Sequence, residues 1–155
     1  DARAPPATPA SAPLKTSAPS TGDDYTTPSS QVQEEILLNL LNQERIVQGL
    51  SPLTLDAELS RIARIKSADM RDNHYFAHES PTYGHISDML KTFGYSFSGA
   101  GENIAHHATT EKAHAAFMSS DGHRRNILSS AWQKVGLGIV YDANGYVYVT
   151  QIFVR

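Results

Sequence analysis

The sequence predicts an α+β fold in which helices pack on an antiparallel sheet. Apolar residues recur at three- and four-residue spacing between positions 36 and 47, which is the period of an amphipathic helix. Two β-rich segments, residues 135–141 and 146–153, lie at the end of the chain, and Asn144-Gly145 between them is a strong hairpin signal. Helices that precede the strands, without alternation, are typical of the α+β class.

The first 30 residues differ in composition from the rest of the 155-residue chain. They contain six of the eight prolines, many Ala, Ser and Thr residues, and Tyr25 as their one aromatic residue. Such a segment buries too little apolar surface to offset the entropy lost on ordering. We therefore predict a disordered linker over residues 1–29 and one folded domain over residues 30–155. A linker of this kind fits an exported protein.

Charge and composition exclude several classes of partner. The net charge of −3 and the pI near 6.1 give no electrostatic footprint for nucleic acid or an anionic membrane. The chain has no cysteine, so disulfides do not stabilise the fold. No run of about 18 apolar residues is present, so we predict no membrane-spanning segment.

The first two helices are predicted from caps and periodicity. A capping box at Ser30 begins the first helix, which ends near Gly49. Asp56 caps a second helix that runs to about residue 72, and Leu53 and Leu55 are expected to pin the preceding turn to the core. We expect these polar residues on the solvent-exposed sides of the two helices: Asn42, Glu44, Arg45, Arg61, Arg64, Lys66 and Asp69.

Later elements follow from shorter signals. Residues 73–84 read as a loop, residues 85–92 as a short helix capped by Gly94, and residues 102–105 as a short strand. A further helix begins at Thr109 or Thr110 and ends near residue 120, followed by a turn and a single helical turn over residues 123–128. Trp132 is expected to close the core. Four other histidines are assigned to loops or the surface: His74, His106, His107 and His114.

Two histidines and one glutamate stand out as candidate functional residues. Glu102 is 24 residues after His78 and 21 before His123, and each lies at a predicted element boundary. They can converge only through the fold. Two imidazoles and a carboxylate suit a divalent cation with one open coordination position, or a general acid–base cluster. Turn and helix-end roles are the structural alternatives.

The order of several motifs resembles that of bacterial CAP domains, the superfamily of cysteine-rich secretory proteins, antigen 5 and plant pathogenesis-related proteins. The motifs that carry the resemblance are Leu41-Asn42-Gln43-Glu44-Arg45, Gly49-Leu50-Ser51-Pro52-Leu53, Phe76-Ala77-His78-Glu79-Ser80-Pro81, Gly101-Glu102-Asn103-Ile104-Ala105, Ser120-Asp121-Gly122-His123-Arg124-Arg125-Asn126-Ile127-Leu128, Val135-Gly136-Leu137-Gly138 and Gln151-Ile152-Phe153. The resemblance covers roughly residues 30–155.

The resemblance implies a three-layer α-β-α sandwich with a central antiparallel sheet, in a secreted or cell-surface protein. It also implies a central cavity with two His and two Glu residues, which holds a divalent cation such as zinc in some members. The matching positions are His78, Glu102 and His123. The second Glu of the eukaryotic pattern falls near Ser120, which has no carboxylate, and neither Glu111 nor Asp121 matches it.

Three functions are compatible with the sequence. The first is a secreted binding module, with Zn²⁺ as the expected ion and a lipid, sterol or cell-envelope component as its expected ligand; its cleft would be lined by His78, Ser80, Glu102, Asn103 and His123. The second is a hydrolase that uses a metal-bound water, or a His base acting on Ser80 or Ser120. The third is a structural network of buried His and Glu residues. Whether the protein is an enzyme is left open.

Overall fold

A computed structural model describes residues 25–155, and most of the predicted linker, residues 1–24, lies outside the described residues. Within residues 25–155 the elements, in chain order, are α1 (Pro28–Val47), β1 (Thr54–Leu55), α2 (Ala57–Asp72), α3 (Ile86–Thr92), β2 (Ala100–His107), α4 (Thr110–Ser119), α5 (Asp121–Ile127), β3 (Lys134–Tyr141) and β4 (Val147–Val154). No helix among these is long and apolar enough to cross a membrane.

The four strands form one sheet in the order β1-β3-β4-β2. The predicted hairpin is confirmed, since β3 and β4 pair antiparallel around Gly145, whose φ is +81°. Strand β2 pairs antiparallel with the other side of β4 and forms one edge of the sheet. The prediction did not include β1, which is two residues long and runs parallel to the start of β3.

Helices cover both faces of the sheet, which confirms the three-layer sandwich. One face packs against α2 and α3 through Leu59, Ile62, Ala63, Ile65, Ile86, Met89, Leu90, Ile152 and Val154. The other face packs against α1, α4 and α5 through Leu37, Leu41, Leu53, Ala105, Ala113, Phe117, Ile127, Val135, Leu137, Ile139, Val147, Val149 and Phe153. Trp132 packs against this second core and stacks on Phe153, as expected.

Two glycines of β3 let α2 lie directly on the sheet. A Cβ atom on Gly136 would lie 2.4 Å from the backbone carbonyl carbon of Leu59, and one on Gly138 would lie 2.1 Å from that of Ala63. These distances are far below any real carbon–carbon contact. The close approach fixes the height of α2 above the sheet, and with it the position of the loop that carries His78.

Burial of charged residues is the main point at which the sequence prediction was wrong. Helix α2 is buried on nearly all sides, so Arg61, Arg64 and Lys66 are not solvated. Arg64 forms a two-pronged ion pair with Glu34 of α1. On α1, Arg45 is 2% exposed because its guanidinium donates to the backbone carbonyls of residues 51, 127 and 129.

Several local predictions also need correction. Helix α1 begins at Pro28 with Thr27 as N-cap, because the Thr27 hydroxyl accepts the Ser30 N–H. Leu55 is 39% exposed, whereas Leu53 is buried as expected. Strand β2 is twice as long as predicted and includes the two residues assigned to a loop, His106 and His107. Residues 121 and 122 belong to α5 and do not form a separate turn.

Candidate functional site

Strand β2 places Glu102 beside His78, a convergence that the resemblance implied. Oε1 of Glu102 lies 2.9 Å from Nδ1 of His78, and the carboxylate is 2% exposed whereas the imidazole is 54% exposed. His78 lies in the loop that follows α2. A carboxylate on Nδ1 fixes both the orientation and the tautomer of the ring, because Nδ1 then carries the proton.

Lys66 is a member of this cluster that the sequence analysis missed. Its side chain is 1% exposed, and its ammonium lies 3.4 Å from Oε2 of Glu102 and donates to the backbone carbonyl of His78 at 2.7 Å. Ile62, Lys66 and Met70 recur at four-residue spacing, and both apolar members are buried. That periodicity was the signal that placed Lys66 on the buried face of α2.

His123 lies in the first turn of α5, on the opposite side of the sheet from α2. Its Nδ1 is 2.8 Å from Oγ of Ser120, and its ring packs 5.3 Å from that of Phe117. Burial lowers the pKa of His123, and the charge on His78 lowers that pKa further. The two imidazoles therefore sense each other, although they come from different layers.

Asn103 anchors α5 and does not line the cleft. Its side chain is fully buried and donates to the backbone carbonyl of His123 at 3.1 Å and to Oε1 of Gln151 at 3.0 Å. Its own oxygen accepts a hydrogen bond from Asn126 at 2.9 Å. Asn103 thereby fixes the start of α5, and with it the position of His123.

Alternation along β2 explains how one strand serves both layers. Successive side chains of a strand point to opposite faces of the sheet. Glu102 therefore faces α2, where it meets Lys66, whereas Asn103 faces α5. Strand β2 is an edge strand, and its neighbouring residues contact His78 on one face, through Glu102, and the carbonyl of His123 on the other, through Asn103. The candidate site therefore lies at this edge of the sheet.

Ser80, the other predicted cleft residue, has a structural role. Its side chain is buried, and its hydroxyl donates to Asp69 at 2.6 Å and accepts the N–H groups of Thr82 and Tyr83. Tyr75 donates to the same carboxylate oxygen of Asp69. Because the Ser80 proton is directed to Asp69, no imidazole is placed to remove it, and Ser80 is a poor nucleophile.

The donor set suits a cation held by imidazoles more than one held by carboxylates. Within residues 25–155, no group of three or more His, Cys, Asp or Glu residues could enclose a metal ion. Both oxygens of Glu102 already face partners, His78 and Lys66. In the described part of the chain, neither Nε2 of His78 nor Nε2 of His123 takes part in a hydrogen bond. Each Nε2 atom is therefore left without a hydrogen-bond partner among residues 25–155, and Glu102 supports the ring of His78.

Three further histidines lie away from His78 and His123. His106 pairs with Asp142 at 2.7 Å and stacks on Tyr148 across the strand pair. His114 is 6% exposed and contacts Glu44 at 3.0 Å, so its predicted surface position was wrong. His74 lies in a left-handed turn with φ of 56°.

Comparison with known proteins identifies the family. The family model described as "CAP: Cysteine-rich secretory protein family" matches residues 38–153. The uncharacterized protein YkwD of Bacillus subtilis (strain 168) is 45% identical over 137 residues, which are 88% of this chain and 49% of that protein. The chain thus spans about half the length of this relative.

Solved structures agree with this match. The structure of an extracellular protein containing a SCP domain from Bacillus anthracis has a TM-score of 0.77 and 35% identity, and the alignment covers 90% of this chain and 45% of that one. An outer surface protein from Borrelia burgdorferi shares the fold, with a TM-score of 0.75 at 16% identity over 81% of this chain and 93% of that chain. The chain belongs to the CAP, or cysteine-rich secretory protein, family.

Proposed function

We propose that this domain is a binding module whose cleft holds a divalent cation, with Zn²⁺ preferred, between His78 and His123. The observation that carries the proposal is that each Nδ1 is already bonded within the fold, to Glu102 and to Ser120. When Nδ1 carries the proton, the lone pair of Nε2 is available to a metal or to a polar ligand group. Water or a ligand atom would complete the coordination, which leaves the site open.

We further propose that the module acts outside the cytoplasm and binds a lipid, a sterol or a cell-envelope component. The similarity to the Bacillus anthracis protein, which is described as extracellular, supports this location. Beside the cleft, Phe76 is 54% exposed two residues before His78, so an apolar ligand group has a surface next to the polar site.

Zinc titration by calorimetry tests the binding proposal. After treatment with a chelator, the wild-type chain should bind about one zinc ion, and His78→Ala/His123→Ala should bind none. His106→Ala is the matched control, because it removes an imidazole from β2, the strand that carries Glu102, at a position outside the proposed site. It should bind zinc like the wild type. Absence of zinc binding by the folded wild type would refute the metal proposal.

The same variants separate binding from a purely structural role. His78 is more than half exposed, so the proposal expects its loss to change the melting temperature little. A fall of several degrees in His78→Ala and His123→Ala, without any effect on zinc, would support a structural network instead.

A hydrolase remains the second candidate, because Oγ of Ser120 lies 2.8 Å from Nδ1 of His123. A Ser–His contact of this length can activate a hydroxyl as a nucleophile. We expect the binding role to prevail, since the described residues supply no carboxylate partner for His123. Hydrolysis of p-nitrophenyl acetate by the wild type, lost in Ser120→Ala but retained in Ser129→Ala, would favour the hydrolase.

A further inference from the structure

The feature that the proposed function leaves unexplained is the buried ammonium of Lys66. It donates to the carbonyl of His78, lies 3.4 Å from Oε2 of Glu102, and lies 6.0 Å from the ring centre of Tyr75. With 1% exposure, its charge is shielded from solvent and acts on its neighbours at close range. Among those neighbours, the ammonium interacts most strongly with the carboxylate of Glu102, which also contacts His78.

This arrangement balances the charge of Glu102 inside the fold. Oε1 contacts His78, whereas Oε2 is buried, accepts no hydrogen bond in the described residues, and faces Lys66. A cation held by the imidazoles therefore senses the carboxylate and the ammonium together, and the two charges largely cancel. Removal of the ammonium would leave a full negative charge one imidazole ring away from the cation.

The same balance bears on which cation binds. Ca²⁺ and Mg²⁺ need several oxygen ligands, above all carboxylates, whereas Zn²⁺ accepts imidazole nitrogens. The carboxylate of Asp69, which lies on the same helix as Lys66, is already engaged by Tyr75, Ser80 and Asn73. With Glu102 neutralised and Asp69 engaged, neither of these two carboxylates is free to bind such a cation.

We propose that Lys66 determines the cation specificity of the cleft, by neutralising Glu102 so that the two imidazoles alone hold the ion. This inference rests on the proposed function. It predicts that the wild type binds Zn²⁺ but not Ca²⁺ or Mg²⁺. It also predicts that the zinc affinity of the wild type is held below what the same histidines and carboxylate could reach.

The experiment is a zinc titration by calorimetry on Lys66→Met, Glu102→Gln and Lys66→Met/Glu102→Gln, each beside the wild type. Lys66→Met should bind zinc about tenfold tighter or more, because an unbalanced carboxylate then attracts the dication. That gain should vanish when Lys66→Met is made in the Glu102→Gln chain. Lys112→Met, which removes an exposed lysine from α4, should leave zinc affinity unchanged.

Each outcome decides between the two proposals. If the wild type binds zinc and folded Lys66→Met binds it no tighter, the role of Lys66 is refuted and the binding function stands. If neither folded chain binds zinc, the proposed function itself fails. If Lys66→Met is unfolded without metal, recovery of its fold on adding zinc supports the inference. Failure to recover, while Lys66→Met/Glu102→Gln folds, overturns it.

Discussion

Nδ1 of His78 lies 2.9 Å from Oε1 of Glu102, and the exposed imidazole thereby covers a carboxylate that is almost completely buried. A ligand in the cleft meets the ring first. Glu102 consequently acts on a ligand through His78, by fixing the ring, and its second oxygen is directed to the interior. This division is the reason why we propose that Glu102, which the sequence analysis expected to bind a metal, supports His78 instead.

Glu102→Gln should destabilise the fold by about 3 kcal/mol, because it leaves the buried ammonium of Lys66 without its ion-pair partner. Chemical denaturation with urea would measure the loss. Glu58→Gln is the matched control, since Glu58 pairs with Arg61 but is 47% exposed, and its loss should cost under about 1 kcal/mol. Equal effects of the two substitutions would contradict the buried pair.

Asn103→Ala should lower the free energy of unfolding by about 2–4 kcal/mol, because it removes three hydrogen bonds at once, one of them to the fully buried Gln151. It should also weaken zinc binding, since the carbonyl of His123 loses its anchor. Gln43→Ala removes an exposed amide from α1 and should change stability by less than about 0.5 kcal/mol. Wild-type zinc affinity in a folded Asn103→Ala chain would show that Asn103 does not position His123.

Gly138→Ala should destabilise the protein by about 3 kcal/mol or more, because the new methyl group would overlap the backbone of α2 at Ala63. Gly122→Ala provides the opposite expectation. A Cβ at Gly122 meets no atom within 4 Å, so alanine should be neutral or stabilise α5 by up to about 1 kcal/mol. Thermal unfolding of both variants tests the close packing of α2 on the sheet.

The pKa of His123 predicts how pH acts on the site. Since burial lowers that pKa in the folded state, the unfolded chain binds the proton more readily. The contribution of this residue to stability is therefore complete above about pH 6.5 and declines as the pH falls below it, down to the lowered folded pKa. Zinc affinity should follow the same direction, since protons compete for the imidazoles.

An NMR titration of the His123 ring checks the cause of this shift. In His78→Ala the pKa of His123 should rise, because a nearby positive charge is removed. It should nevertheless stay below the ordinary value, because burial is the larger cause. An unchanged pKa would mean that the two rings do not sense each other, and retention of full zinc affinity at about pH 4.5 would argue against imidazole ligands.

Much of the fold could be predicted because its signals are local. Asp56 caps α2 with its own side chain, Gly94 ends α3 in a left-handed turn, and Asn144-Gly145 forms the hairpin turn. The convergence of His78 with Glu102 was predicted from the resemblance and not from spacing. Residue types alone allowed it without requiring it.

What could not be predicted depends on tertiary partners. Arg45 reads as a solvent-facing residue until three backbone carbonyls of distant segments surround it. The sequence leaves Ser80 and Ser120 as equal candidates for a His base, and only the fold brings His123 against the hydroxyl of Ser120. A charged or polar residue is buried when the fold supplies its hydrogen-bond partners. A hydropathy pattern does not show those partners and therefore assigns such residues to the surface.

The Glu34–Arg64 ion pair links the two helical layers at one edge of the sheet but not at the other. At the edge opposite β2, where β1 covers only the start of β3, the pair joins α1 to α2, and Oε2 of Glu34 also accepts the N–H of Ile139. At the β2 edge, no hydrogen bond joins His78 to His123 within residues 25–155. An ion bound there by both histidines would form a second link between the two helical layers. Amide hydrogen exchange should then slow along β2 on zinc addition, while β3, which is already linked, exchanges as before.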